Sequence, residues 1–199
     1  MPRKPQRAKP KPRRTASTKF YKLDWARYTR EDHAHVDEAP YTPVPWTTGI
    51  PYTGRMKQLI RCKLDGGAIM PDLFLVHLPM FSDRMLEVLD AEGVENIVRY
   101  RVELVAPGGR VFTNYKAVNI VGAVSCADRK RSKFFGDSEP PLMEPEKLVI
   151  DARRAAGRKL FRLGESSDFI LMTEPIKRAL EKANLVGVRL LSLDDEAAY

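Results

Sequence analysis

The stretch FSDRMLEVLDAEGVENIVRYRVELVAPGGRVFTNYKAVNIVGAV, residues 81–124, restricts the fold more than any other part of the chain. Ser82 can accept a hydrogen bond from the free N–H groups of a first helical turn, Asp83 suits the positive end of that helix, and Phe81 can pack on Leu86 as a staple. Met85, Leu86 and Leu89 make a short apolar stripe, and Gly93 supplies a left-handed stop, so the helix is only a few turns long. Val98, Tyr100, Val102 and Leu104 then alternate with Arg99, Arg101 and Glu103, the period of a half-buried strand. Pro107-Gly108-Gly109 turns the chain into a second strand near Val111, which predicts an antiparallel hairpin.

The C-terminal third repeats the scheme. Lys159–Leu163 and Phe169–Leu171 read as short strands around the polar turn Gly164–Asp168. Thr173 is a second candidate N-cap, followed by Pro175 in a first helical turn, an apolar face of Ile176, Leu180 and Ala183, an end near Asn184, and VGVRLLSL as a closing strand. A shift of 91 residues lays Ser82, Met85 and Leu89 on Thr173, Ile176 and Leu180. Two copies of so common a unit are weak evidence of duplication. The expectation is an α+β fold with a mainly antiparallel sheet, two short capped helices and two related strand-helix-strand units. Before the first unit, MKQLIRCKL from Met56 reads as a strand ending at the turn Asp65-Gly66-Gly67, and Leu73–Leu78 as a buried strand.

Charge divides the chain further. Nine of the 34 basic side chains fall in residues 1–22, which hold no acid, so the other 177 residues carry 25 bases against 26 acids. The overall charge of +8 therefore belongs to the tail. Pro2, Pro5, Pro10 and Pro12 punctuate it, and it has almost no apolar surface to offset its ordering entropy, so residues 1–22 are expected to be a disordered basic arm. Arg3, Lys4, Arg7, Lys9, Lys11, Arg13 and Arg14 could neutralise phosphates or lie on an anionic surface, and nucleic acid is accordingly a possible partner for the arm. The bland alternative is a solubilising arm. Residues 23–56 are rich in Pro, Tyr, Trp and Thr and are expected to be extended, with Tyr41, Trp46 and Tyr52 pinned onto a domain formed by residues 57–199. The start of the chain lacks the apolar stretch of a secretory signal, no apolar run is long enough to span a membrane, and two cysteines are too few for a disulfide scaffold. Together these predict a cytoplasmic location.

Few residues suggest chemistry. In EDHAHVDE, a strand would bring His33, His35 and Asp37 to one side, an imidazole and carboxylate set suited to a transition metal, but nothing apolar nearby holds such a set rigid, and the segment reads better as solvated. His77 has no partnering nucleophile motif and reads as a packed histidine. Cys62 and Cys126 sit in apolar, strand-like stretches and read as small hydrophobes. Gly66-Gly67 and Gly108-Gly109 belong to no phosphate-cradling motif. No cofactor, metal site or catalytic residue is expected. The segment DRKRSKFFG differs, because Arg129, Lys130, Arg131 and Lys133 share a surface loop with Phe134 and Phe135, the composition of a contact hot spot. Its alternative is a solvated loop with the Phe pair tucked into the core.

The C-terminal residues LVIDARRAAGRKLFRLGESSDFILMTEPIKRALEKANLVGVRLLSL resemble the closing signature of a bacterial immunity-protein family, the one named after a myxobacterial immunity protein and formerly called a domain of unknown function. The matching features are Asp151, the strand Leu160-Phe161-Arg162-Leu163, and Thr173–Arg189 with Gly187; Met70–Phe74, the FSDRMLEVLD helix and Tyr115–Asp128 fit as well. The resemblance spans about residues 57 to 193, leaving out the tail and the Pro-rich segment. Leu191 departs from it where an aromatic often closes the last strand, and so does the basic tail. The resemblance implies a protein that neutralises a cognate toxin, encoded nearby in a polymorphic toxin system, by binding and not by catalysis. It carries over no catalytic residue.

Overall fold

A computed structural model describes residues 19–26, 32–56, 59–76 and 78–199. His77 and the arm residues Arg3, Lys4, Arg7, Lys9, Lys11, Arg13 and Arg14 lie outside the described residues. In chain order the strands are β1 (Phe20–Trp25), β2 (His35–Glu38), β3 (Ile60–Asp65), β4 (Leu73–Phe74) and β5 (Met80–Ser82), followed by helix α1 (Asp83–Ala91). Next come β6 (Ile97–Val105), β7 (Val111–Phe112), β8 (Tyr115–Ile120), β9 (Ala123–Val124), β10 (Lys133–Phe135), β11 (Glu144–Lys147), β12 (Leu160–Leu163) and β13 (Ile170–Thr173). Helix α2 (Glu174–Lys182) and β14 (Val188–Ser192) complete the scaffold. The fold is α+β, with one sheet in the order β14-β1-β13-β12-β9, a larger one in the order β2-β3-β6-β8-β5-β4 with β7 beside β6, and a β10–β11 hairpin. Among the described strands, pairing is antiparallel except for β3 with β6 and β9 with β12. Among the described residues no helix is long and apolar enough to cross a membrane.

Both helices form where local signals place them, with a side-chain cap at Ser82 and none at Thr173. The Ser82 hydroxyl accepts from the Met85 N–H at 3.1 Å and donates to the Asp72 carboxylate at 2.5 Å, while Met85, Leu86 and Leu89 face inward. Gly93 follows the end of α1 at φ 67°, a conformation costly to any residue with a Cβ. The 91-residue offset lays Asp83–Ala91 on Glu174–Lys182, the full extent of each helix. Each helix joins two strands separated by an antiparallel middle strand: β8 lies between β5 and β6, and β1 between β13 and β14. Each half also caps the helix of the other. Arg84 of α1 donates to the carbonyls of Ala183 and Asn184 at the end of α2, and Lys159 donates to those of Glu92 and Gly93 at the end of α1. Cations there meet unsatisfied carbonyls and the negative end of each dipole.

A central apolar cluster joins Met85 and Leu89 of α1, Ile176 and Leu180 of α2, Leu23, Ile170 and Met172 of one sheet, and Phe81, Val118 and Ile120 of the other. A second covers the larger sheet with Val44 and Trp46 over Cys62, Phe74, Met80 and Leu104. A third places Phe20, Phe161, Leu163 and Leu171 against Cys126, Ala127 and Leu148.

Several expectations need correction. The boundary drawn between residues 22 and 23 falls inside β1, whose Phe20 and Leu23 are buried and whose ladder reaches from Phe20 opposite Thr173 to Trp25 opposite Val188. The basic composition around Lys19 and Lys22 masked two inward-facing apolar residues set three apart. Trp46 is buried, its ring edge-on to Tyr100 at 5.2 Å, and Tyr52 is half-buried, but Tyr41 is 96% exposed, so Val44 and Trp46, and not Tyr41, pin this segment to the core. Of the described residues in Leu73–Leu78, only Leu73 and Phe74 pair in a ladder. Gly164–Asp168 is a turn as expected, yet Glu165, Ser166 and Ser167 are buried within it.

Candidate partner-binding face

The segment singled out for its basic and aromatic composition forms one corner of the molecule, built on the Asp128 turn. The Asp128 carboxylate accepts from the N–H groups of Lys130 and Arg131 at 3.1 and 3.3 Å and from Arg131 Nε at 2.7 Å. Chiefly the Arg131 hydrogen bond holds this carboxyl below the usual carboxylate range. Ser132 locks the turn to the neighbouring strap, donating through Oγ to the Val149 carbonyl at 3.2 Å and accepting from the Val149 N–H at 3.0 Å.

Beyond the turn, β10 separates the two phenylalanines. Phe134 packs against the third core cluster, with the Arg129 guanidinium 5.4 Å from its ring centre, and Phe135 is 53% exposed. The structure thus divides between the two readings of the Phe pair: one ring supports the core and one faces solvent. Strand β11 supplies what the linear segment did not show. Lys147 lies opposite Lys133, Glu144 opposite Phe135, and Glu146 is also exposed, so the face mixes both charges and is not the uniformly basic patch suggested by residues 129–133. Leu142, 74% exposed, adds a second apolar side chain just before β11. Such a mixture, with Phe135 and Leu142 among Lys130, Lys133, Glu144 and Lys147, has the make-up of a contact surface with apolar anchors and a charged rim.

The other candidates separate. His33 is buried and bridges to Ile69, His35 lies edge-on to Trp25 at 6.0 Å, and the β2 ladder is irregular around Asp37, which breaks the alternation that would align the three. A Cβ at Gly67 would sit 2.1 Å from the His33 carbonyl carbon, so the close approach of these two segments requires glycine. Among the described residues, no three His, Cys, Asp or Glu side chains are placed to hold a metal. Burial pushes the Cys62 thiol up to about 11 and the Cys126 thiol up to about 12, with Glu165 adding to the effect at Cys126. Both remain thiols near neutral pH and are poor nucleophiles there.

Sequence reasoning placed Arg162 in the LFRL strand without assigning it a role. It is 2% exposed, donating through one terminal nitrogen to the Ser167 carbonyl at 2.6 Å and through the other to the Trp46 carbonyl at 2.8 Å. These bonds tie the polar turn and the Pro-rich segment to β12. Burial lowers its pKa to about 10, so it is still charged near neutral pH. Arg162 also lines a cleft of about 400 Å³ with Lys22 and Asp24 of β1, Thr47, the Leu75–Val76 segment, and Asp168 and Phe169. A cation inside an otherwise apolar tetrapeptide was the available signal.

The fold defines an α+β protein in which two helices share a core with two sheets. No protein-family model matches the chain. The chain is similar to proteins named high frequency lysogenization protein HflD homolog from two Haemophilus influenzae strains, Rd and 86-028NP, at 27% identity over 114 residues and 57% of its own length. It spans 55% of the length of these curated relatives.

Proposed function

We propose that this chain is a bacterial immunity protein that binds a cognate toxin domain and neutralises it by contact, without catalysis. The observation that carries the reading is the motif resemblance across residues 57 to 193. Its parts occupy consecutive pieces of the scaffold: LFRL is β12, and Thr173–Arg189 runs from the end of β13 through α2 into β14. The β10–β11 corner offers the contact surface, with Phe135 and Leu142 as anchors and charges of both signs around them. This mixed rim favours a partner whose own surface is mixed, since one-sided steering needs a field of one sign.

The test is co-expression in a sensitive host with the product of the adjacent toxin-like gene, followed by growth and a pull-down. Protection with a co-purifying complex is expected. Continued killing despite abundant soluble protein would remove the reading.

A further inference from the structure

The guanidinium of Arg162 carries five N–H donors, of which the carbonyls of Ser167 and Trp46 take two. Nε is buried and has no acceptor. Arg162 forms no ion pair among the described residues: Asp168 raises its pKa only through space and is itself exposed. A buried cation held by backbone oxygens alone is costly, and an anion reaching it would recover much of that cost.

The cleft it lines has room for such a group. About 400 Å³ is within the usual range for small-ligand sites, and its walls combine Leu75, Val76, Pro79 and Phe169 with the charges of Lys22, Asp24 and Asp168. The Lys22 ammonium sits 4.2 Å from the centre of the Phe169 ring and 3.7 Å from Asp24. Asp24 and Asp168 also line the cleft, and because their repulsion grows with the charge of the ligand they disfavour a dianion such as phosphate more than a monoanion, of which a planar one suits the guanidinium fork.

We propose that this cleft binds a carboxylate group on a partly apolar ligand, with Arg162 as the receiving cation. The inference does not rest on toxin neutralisation. The carboxylate can come from a small free acid or from an acidic side chain of a bound peptide, and both present the same planar anion to Arg162. Occupancy would join three segments distant in sequence, because Arg162 already spans the Trp46 and Ser167 carbonyls.

The chain has two tryptophans: the Trp25 side chain lines the cleft and reports on it directly, while Trp46 touches Arg162 through its carbonyl, its ring packing on Tyr100. Tryptophan fluorescence would be titrated at constant ionic strength with hexanoate, with a blocked Gly-Glu-Gly peptide and with inorganic phosphate. A saturable change with hexanoate or the peptide is expected and identifies the source, while phosphate should give none. Arg162→Gln should weaken the response about tenfold or more, as expected when a charge-assisted hydrogen-bonding group is lost. Thr47→Phe, which fills the cleft and leaves both Arg162 bonds intact, should abolish it and decides the matter if Arg162→Gln does not fold. No response to either carboxylate in folded wild-type protein, an unchanged response in Thr47→Phe, or phosphate binding as tight as hexanoate overturns the proposal.

Discussion

Phe134 and Phe135 are neighbours with opposite environments, because successive strand residues point to opposite faces. Phe134→Ala should cost about 1–3 kcal/mol in chemical denaturation, below the usual loss for a fully buried ring because this one is partly exposed. Phe135→Ala should stay within about 0.5 kcal/mol of wild type. If the corner is the toxin contact, Phe135→Ala should nonetheless weaken the complex tenfold or more in a binding titration. An equal loss of stability in both variants would contradict the separation. Composition alone marked both rings as contact candidates; only the pleat assigned them different jobs. Arg162 shows the converse, since no local pattern revealed that its fixed partners are the carbonyls of Trp46 and Ser167.

The two helices have matching lengths and different starts. Ser82 makes its capping bond and a second one to Asp72, whereas the Thr173 side chain makes no capping bond, and α2 begins with Pro175 in its first turn. Side-chain pairs support α2 along its exposed face, Glu174 with Arg178 and Lys177 with Glu181. Ser82→Ala is therefore expected to lower stability by about 1–2 kcal/mol, while Thr173→Ala changes it by a few tenths. Thermal melting of the two variants checks this, and equal shifts would count against it. Both helices were legible because caps, apolar stripe and stop lie within about a dozen residues. The cap at Thr173 was legible only as a position, since whether a hydroxyl bonds depends on local backbone geometry.

Across the whole molecule, β1 holds one sheet together by pairing with β13 on one side and β14 on the other. Removing residues 1–18 should leave the melting transition nearly unchanged, whereas removing 1–25 deletes this middle strand together with Phe20 and Leu23 and should abolish cooperative unfolding. Circular dichroism melts of both truncations test the assignment, and a cooperative transition in the longer truncation would refute it. Acid should act at several points together. Arg99 holds the Asp90 carboxyl below its ordinary range, the Arg131 hydrogen bond does so for Asp128, and the Arg153 N–H for Asp151. A lowered folded pKa gives stability that is present above the unfolded value, near 4, and lost as pH falls through the lowered one. The urea midpoint should then change little from these groups between about pH 5 and 7 and fall below about pH 4. A midpoint that holds down to pH 2 would show that these contacts add nothing.

The sequence by itself determined the class of fold, the extent of both helices, the hairpin after β6 and the 91-residue spacing of the two units. Those features depend on near neighbours: a cap and its N–H, an apolar period, a glycine at positive φ. Only the tertiary structure decided that Phe20–Trp25 is a middle strand, that Tyr41 faces solvent while Trp46 does not, that β11 brings acids beside the basic loop, and that Arg162 meets Trp46. Each of these joins segments far apart in the chain. Strand partners and buried charges are selected by competition for one shared core, and no local period encodes which distant segment wins.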